Sequence, residues 1–162
     1  MLYLFANGPM PTSAAQAVVT TGTAIKTLLQ IKGNGVSLRV KEWGVSFDGS
    51  SAATPIKVEL LETDGAATVT AAVQKDIIKF DNYYSPNPSL TLSTTGTGYT
   101  ASDEGTIVNT RMFDVQLVAP TNQYVKQFPL GLEPLLNIAY FLRVRVTAAA
   151  AVNAYAYVLF EI

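Results

Sequence analysis

The side chains of this chain that could do acid–base or nucleophilic chemistry are carboxylates, lysines and tyrosines, because histidine and cysteine are absent. That absence excludes His- and Cys-based catalytic triads and dyads, and zinc, iron or copper sites ligated by these residues. A glycosidase needs two facing carboxylates roughly 5–10 Å apart. Glu59 and Glu62 have opposite parity on a regular strand, and Asp103 and Glu104 are neighbours in a glycine-containing turn. The sequence therefore predicts a protein that is not an enzyme and uses no cofactor.

Carboxylates also occur at three turn-like sequences, DGSS at 48–51, ETDG at 62–65 and DEG at 103–105. Their oxygens are suitable ligands for calcium, but none of these sequences has the spacing of a calcium-binding loop. Acidic residues at turns commonly accept hydrogen bonds from nearby backbone N–H groups. We therefore predict structural turns and no metal site.

Aromatic residues are the remaining candidates for ligand contact. Tyr83, Tyr84 and Tyr99 lie in an irregular, Ser-, Thr-, Gly- and Pro-rich stretch at 82–105. Loops of this length in a compact domain are usually functional or disordered, so these tyrosines form a predicted contact loop, with a solvated surface loop as the alternative. Trp43 is in phase with Val45 and is predicted to lie in the core.

The composition limits the partners. Only 14% of the 162 residues are charged and the net charge is −1, whereas a typical soluble domain has about 25% charged residues. Part of the surface is therefore predicted to be covered by partner subunits, the alternative being an uncharged monomeric exterior. Scattered lysines and arginines form no basic stripe, so nucleic acid is not an expected partner. No apolar run approaches about 18 residues, so a membrane is not an expected partner either.

Hydrophobic alternation with a period of two predicts an all-β fold. About eight strands, separated by turn signals, are expected to form a two-sheet antiparallel β-sandwich of jelly-roll type. We expect a strand or arm over 1–22, a sandwich domain over 23–162, and at most short helical turns at 66–75 and 132–136. The predicted strands are Leu2–Phe5, Thr23–Lys32, Val36–Asp48, Ile56–Leu61, Ile107–Val118, Gln123–Phe128, Ile138–Val146 and Ala151–Ile162.

Three strands carry specific predictions. In 107–118, the face that includes Phe113, Val115 and Leu117 is the more apolar from residue 110 onward, so it is expected to face the core. In 138–146, the core face is expected to begin at Ile138. The strand at 36–48 changes hydrophobic phase near residues 41–42, which predicts a β-bulge or a switch between sheets there.

The last strand is apolar on both faces, which predicts cover on both sides. The face with Tyr155, Tyr157 and Leu159 is expected to meet either another subunit or an arm such as residues 1–22. Because arginine and aromatic residues are enriched at interfaces, the predicted interface also includes the residues Phe141, Arg143 and Arg145. A solvated outer face is the alternative for the two arginines.

Several sequence runs, taken together, resemble small jelly-roll proteins of tailed bacteriophages. They are EWGVSFDGSS at 42–51, TPIKVELL at 54–61, YVKQFPLGLEP at 124–134, and LRVRVT at 142–147 with VN at 152–153. The resemblance covers about residues 36–162 and is to auxiliary, or decoration, proteins that bind the outside of the capsid.

The resemblance implies a homotrimer that binds the major capsid protein and stabilises the shell. Such a protein would be made in the host cytoplasm and would end on the outer surface of the virion. Two alternatives remain open: a carbohydrate-binding β-sandwich that uses Tyr83, Tyr84 and Tyr99 as a stacking platform, and another virion component such as a fibre or minor capsid protein.

Overall fold

The computed structural model describes residues 1–80 and 89–162, and nearly all regular structure in them is β-strand. The strands of the described residues are β1 Leu2–Ala6, β2 Val19–Thr20, β3 Ile25–Ile31, β4 Leu38–Phe47, β5 Ile56–Thr63, β6 Thr68–Ala71, β7 Ile77–Lys79, β8 Gly98–Asp103, β9 Thr110–Val118, β10 Gln123–Gln127, β11 Leu135–Leu136, β12 Phe141–Thr147 and β13 Asn153–Glu161. In this part of the chain the helical structure is a 3₁₀ turn at Gln74–Asp76.

The strands form two antiparallel sheets. Sheet A has the order β10-β4-β13-β1-β7, with β11 also pairing with β4 and β2 with β13. Sheet B has the order β6-β8-β3-β12-β5-β9. The predicted two-sheet antiparallel sandwich is therefore confirmed.

Eight of these strands follow the winding of a jelly roll. Strand β1 pairs with β13, β3 with β12, β4 with β10, and β5 with β9. Counted along the chain, the first of these eight strands therefore pairs with the last, the second with the seventh, the third with the sixth and the fourth with the fifth. Successive pairs lie alternately in sheet A and sheet B. The described residues hold five strands beyond the predicted eight: β2, β6, β7, β8 and β11. Strands β6 and β8 lie where the sequence pattern favours a helical turn and an irregular loop.

The predicted bulge in β4 is confirmed. Glu42 pairs with Leu159 and Val40 with Phe160, so Lys41 is an extra residue with no counterpart on β13. The extra residue brings the apolar residues before and after it onto the same inward face of β4, and Val40 and Trp43 are both fully buried. The sequence required this irregularity because a regular strand would place one of the two apolar runs in solvent.

The core lies between the sheets and contains several aromatic side chains. Trp43, Phe5 and Phe160 are fully buried. The ring of Phe160 stacks on Tyr3 with centroids 5.8 Å apart, and Trp43 meets Tyr124 edge-on at 5.5 Å. Burying such rings supplies much of the apolar area that stabilises a two-sheet core.

The inward face of β12 is as predicted except at its first position, Ile138. Leu142, Val144 and Val146 are fully buried, but Ile138 is 53% exposed. The strand begins only at Phe141, so alternation does not extend back to Ile138.

Within residues 1–22, the strand predicted at Leu2–Phe5 is present as part of the sandwich. Leu2–Ala6 lies inside sheet A, between β13 and β7. Just beyond β1, the side chain of Asn7 bonds the backbone of β13 as a strand would. Its Nδ2 donates to the Ala154 carbonyl at 3.1 Å, and its Oδ1 accepts from the Ala156 N–H at 3.0 Å. The chain leaves the sheet only after Asn7 and returns as β2.

The predicted orientation of β9 is also wrong beyond Phe113. Leu60 pairs with Asp114 and Leu61 with Met112, so Phe113 is an extra residue on β9. The shift turns Asp114 inward, where it is buried, and leaves Leu117 72% exposed.

Candidate interaction surfaces

The outer face of β13 is covered in part by the chain itself. The Tyr155 hydroxyl donates to Oε1 of Gln16 at 2.9 Å, and the Tyr157 hydroxyl donates to Oε1 of Glu42 at 2.5 Å. Of the two covers predicted for this face, the structure therefore supplies one at Tyr155, the segment that follows β1. Leu159 remains half-buried, beside Leu4 on the neighbouring strand.

A glycine lets Tyr157 lie flat on the sheet. Gly44 is the direct partner of Tyr157 on β4, and a Cβ atom at Gly44 would lie 2.6 Å from the Cε1 atom of the tyrosine. Burial, together with the bond to Glu42, raises the pKa of the Tyr157 hydroxyl, and burial alone raises the pKa of Tyr155. Both hydroxyls are therefore hydrogen-bond donors at neutral pH.

Arg143 does not lie on an interface, contrary to the prediction, because it is fully buried within its own chain. Its Nη1 donates to the Glu104 carbonyl at 3.0 Å and to Oε2 of Glu104 at 3.2 Å, and its Nη2 donates to the Gly65 carbonyl. Desolvation lowers the pKa of the guanidinium, and the Glu104 carboxylate opposes this shift. Arg143 thus holds the loops that contain Gly65 and Glu104 onto sheet B.

Arg145 and Phe141 are half-buried on the same face of β12. Nε of Arg145 donates to Oε2 of Glu59 at 2.8 Å, and Nζ of Lys57 lies 3.4 Å from Oε1 of the same carboxylate. The Phe141 ring lies under the Lys32 ammonium, 4.8 Å from its centroid. Both residues therefore have partners in their own chain.

The predicted contact loop is only partly within the described residues. Tyr83 and Tyr84 lie outside them. Tyr99 belongs to β8, where it pairs with Leu29 and packs on the Phe5 ring at 6.3 Å. Tyr99 is therefore part of the sandwich rather than of a loop.

The turn carboxylates bind backbone and asparagine groups, as the turn prediction expects. Asp64 accepts from the N–H of Val108 and Asn109 at 3.0 and 2.9 Å, and Asp103 accepts from the Gly105 N–H at 2.7 Å. Within residues 1–80 and 89–162, no group of three His, Cys, Asp or Glu residues is placed to hold a metal ion. In the same residues, no helix is long and apolar enough to cross a membrane.

Asp114 joins the edges of the two sheets. Its carboxylate accepts from Nε1 of Trp43 at 3.1 Å, the Tyr124 hydroxyl at 2.9 Å and Nζ of Lys126 at 3.2 Å. Burial and the bond to Asp114 raise the pKa of Tyr124 to about 12. Side chains thereby link strand β9 of sheet B to strand β10 of sheet A.

Exposed apolar side chains lie on both strands of this joined edge and in the segment that follows β10. This set, which we name the β9 rim, comprises residues that are each between 41% and 92% exposed: Met112, Val115, Leu117, Val125, Leu130, Leu132, Leu135 and Ile138. Nη2 of Arg111 on β9 donates to the Leu135 carbonyl and ties the segment to the strand.

The sequence patterns did not predict the β9 rim as a surface. The alternation in β9 placed Val115 and Leu117 inside, and the leucines after β10 follow no period. The usable signal was the sequence PLGLEP at 129–134, where proline and glycine interrupt any strand that would bury Leu130 and Leu132.

Together the fold and these surfaces define a jelly-roll β-sandwich with an apolar rim along one joined edge. No protein-family model, curated protein or solved structure matches the chain.

Proposed function

We propose that this chain is a structural protein of a tailed-bacteriophage virion that binds the outer surface of the capsid as a homotrimer and stabilises the shell. Its partners are other copies of itself and the major capsid protein. The observation that carries the proposal is the β9 rim, in which Leu130 is 92% and Leu132 72% exposed. Exposed apolar residues grouped in this way are characteristic of protein–protein contact surfaces.

The rest of the molecule supports an assembly role. The polar groups of β12 and the tyrosines of β13 are bonded within the chain, whereas the β9 rim and the half-buried face around Leu159 can serve as contact areas. A closed ring with three-fold symmetry requires two different surfaces on each protomer. A third surface, or the remainder of the rim, would then contact the capsid.

Co-sedimentation with undecorated heads tests the capsid contact. The wild-type protein should pellet with heads, and a variant that combines Leu130→Ser and Leu132→Ser should lose most of this binding because it removes two exposed apolar contacts. Ile25→Ser is a matched control, since Ile25 is 49% exposed on β3, away from the rim. A wild-type protein that stays in the supernatant would remove the proposal.

The homotrimer is tested by light scattering at micromolar concentration. The expected mass is three times the 17.3 kDa of the chain. A strict monomer over the same range would contradict the trimer while leaving capsid binding to the sedimentation test.

The carbohydrate-binding alternative is weaker for one specific reason, because Tyr99 packs against Phe5 and is not free to stack on a sugar. A glycan array separates the two functions: a capsid-binding protein should give no signal on it.

A further inference from the structure

Strand β9 is the longest strand at a sheet edge in the described part of the chain. It has nine residues, whereas the edge strands β10, β6 and β7 have five, four and three. In these residues β9 pairs only with β5. A long edge strand presents a row of unpaired N–H and C=O groups, which proteins usually protect because another strand can add to it.

The outward edge of β9 is open to such pairing only in part. The Val115 N–H points away from the β5 ladder but already donates to Oδ1 of its neighbour Asp114 at 3.0 Å. Alternation along an antiparallel strand directs the Leu117 N–H the same way. The Leu117 side chain is exposed beside it and would contact an added strand.

Along β9 the negative charges are buried and the positive charges are exposed. The carboxylates of Glu59, Glu62 and Asp114 are only 4–8% exposed. Their cationic partners, Lys57, Arg111 and Lys126, are 46%, 56% and 37% exposed. The strand therefore presents an apolar row with cationic groups beside it. The acidic residues at its two ends, Asp64 and Asp48, are held by Asn109 and Asn153.

We propose that β9 binds an extended, acidic segment of a partner protein by β-strand addition. Main-chain hydrogen bonds to the outward edge would supply affinity, and apolar positions of the added strand would contact Val115 and Leu117. Acidic positions would then lie on the other face of the added strand, toward Arg111 and Lys126, which favours an acidic strand over a basic one. Two β9 strands of this chain would bring these cations together, so the partner is not a second copy. The inference rests on the proposed function only in taking the major capsid protein as the source of the strand.

Fluorescence anisotropy with synthetic peptides tests strand addition without the capsid. One labelled peptide of about ten residues alternates valine with glutamate, and the control has lysine in place of glutamate. The acidic peptide should bind at least about tenfold more tightly, and its binding should weaken as salt is added. Absent or equal binding of the two peptides would overturn the inference.

Variants at Leu117 separate the contribution of the backbone N–H to peptide binding from that of the side chain. Leu117→Pro removes the outward N–H and should weaken binding of the acidic peptide by about tenfold or more relative to Leu117→Ala, which removes only the side chain. Equal binding by the two variants would contradict strand addition. Because Leu117→Pro could unfold the edge, Leu117→Lys and Leu117→Glu give a second test by charge alone, with tighter binding expected for lysine. A reversed or absent charge effect would contradict the acidic partner.

Binding to undecorated heads distinguishes strand addition from the proposed capsid function. If heads bind Leu117→Pro as well as Leu117→Ala, strand addition fails and the capsid function stands. If the acidic peptide binds and heads do not, the strand site stands and the capsid function fails. Self-association that is lost in Leu117→Pro but kept in Leu117→Ala would identify a second copy as the occupant and overturn the acidic partner.

Discussion

At the scale of single residues, Asp114 occupies an inward position that hydrophobic patterning assigns to an apolar side chain. Burying a carboxylate is unfavourable unless hydrogen bonds and an opposite charge compensate for lost water. Asp114 has both: the donors Trp43 and Tyr124, and the ammonium of Lys126. The carboxylate therefore fixes the position of the largest ring in the core.

Asp114→Ala should lower the free energy of unfolding by about 3–5 kcal/mol, because it leaves buried donors and a cation without a partner. Urea denaturation measures the change. Asp48→Ala is the matched control: Asp48 is exposed, and its removal should cost no more than about 0.5–1 kcal/mol. Similar losses in the two variants would show that the Asp114 network does not hold the edges together.

At the scale of strands, patterning predicted what depends on local alternation and missed what depends on distant partners. The inward faces of β12 and β13, and the bulge at Lys41, follow from the order of apolar residues. The orientation of β9 does not, because Asp114 is stabilised inside by donors from β4 and β10. Arg143 is similar, since its buried position depends on Glu104, 39 residues away in sequence.

Strand β4 gives a test of the bulge. Deleting Lys41 should leave a regular strand with Val40 and Trp43 still inward, so the protein should fold and lose at most about 2 kcal/mol, mainly from ion pairs at the surface. Deleting Gly44 should be far more damaging, since it turns Val45 and Phe47 outward at about 1.5–3 kcal/mol each. Thermal denaturation of the two deletion variants measures the difference, and the reverse order of stabilities would show that Lys41 is not the extra residue.

At the scale of the whole molecule, three tyrosine hydroxyls join separate parts of the sandwich. Tyr124 connects β10 to β9, Tyr155 connects β13 to the segment after β1, and Tyr157 connects β13 to β4. All three have a raised pKa in the folded protein, and that of Tyr124 rises from 10.0 to about 12. The folded state therefore holds these protons more tightly than the unfolded chain.

The free energy of unfolding should consequently be insensitive to these groups below pH 10 and fall as the pH rises above it, because the unfolded state then loses protons first. Urea denaturation at a series of alkaline pH values measures the fall. Tyr124→Phe should be less stable at neutral pH but less sensitive to alkali. Identical alkaline slopes for wild type and Tyr124→Phe would contradict a contribution from this hydroxyl.

The position of β13 has a consequence for how the chain acquires its structure. Strand β13 lies in the interior of sheet A, between β4 and β1, so each of these strands has one unpaired edge until residues 153–161 have left the ribosome. The pair β5 and β9 can form earlier, because its residues are closer in sequence. Because most pairings join distant residues, folding should be slow, in milliseconds to seconds rather than microseconds. Until β13 has paired, β1 and β4 remain open to pairing with other nascent chains.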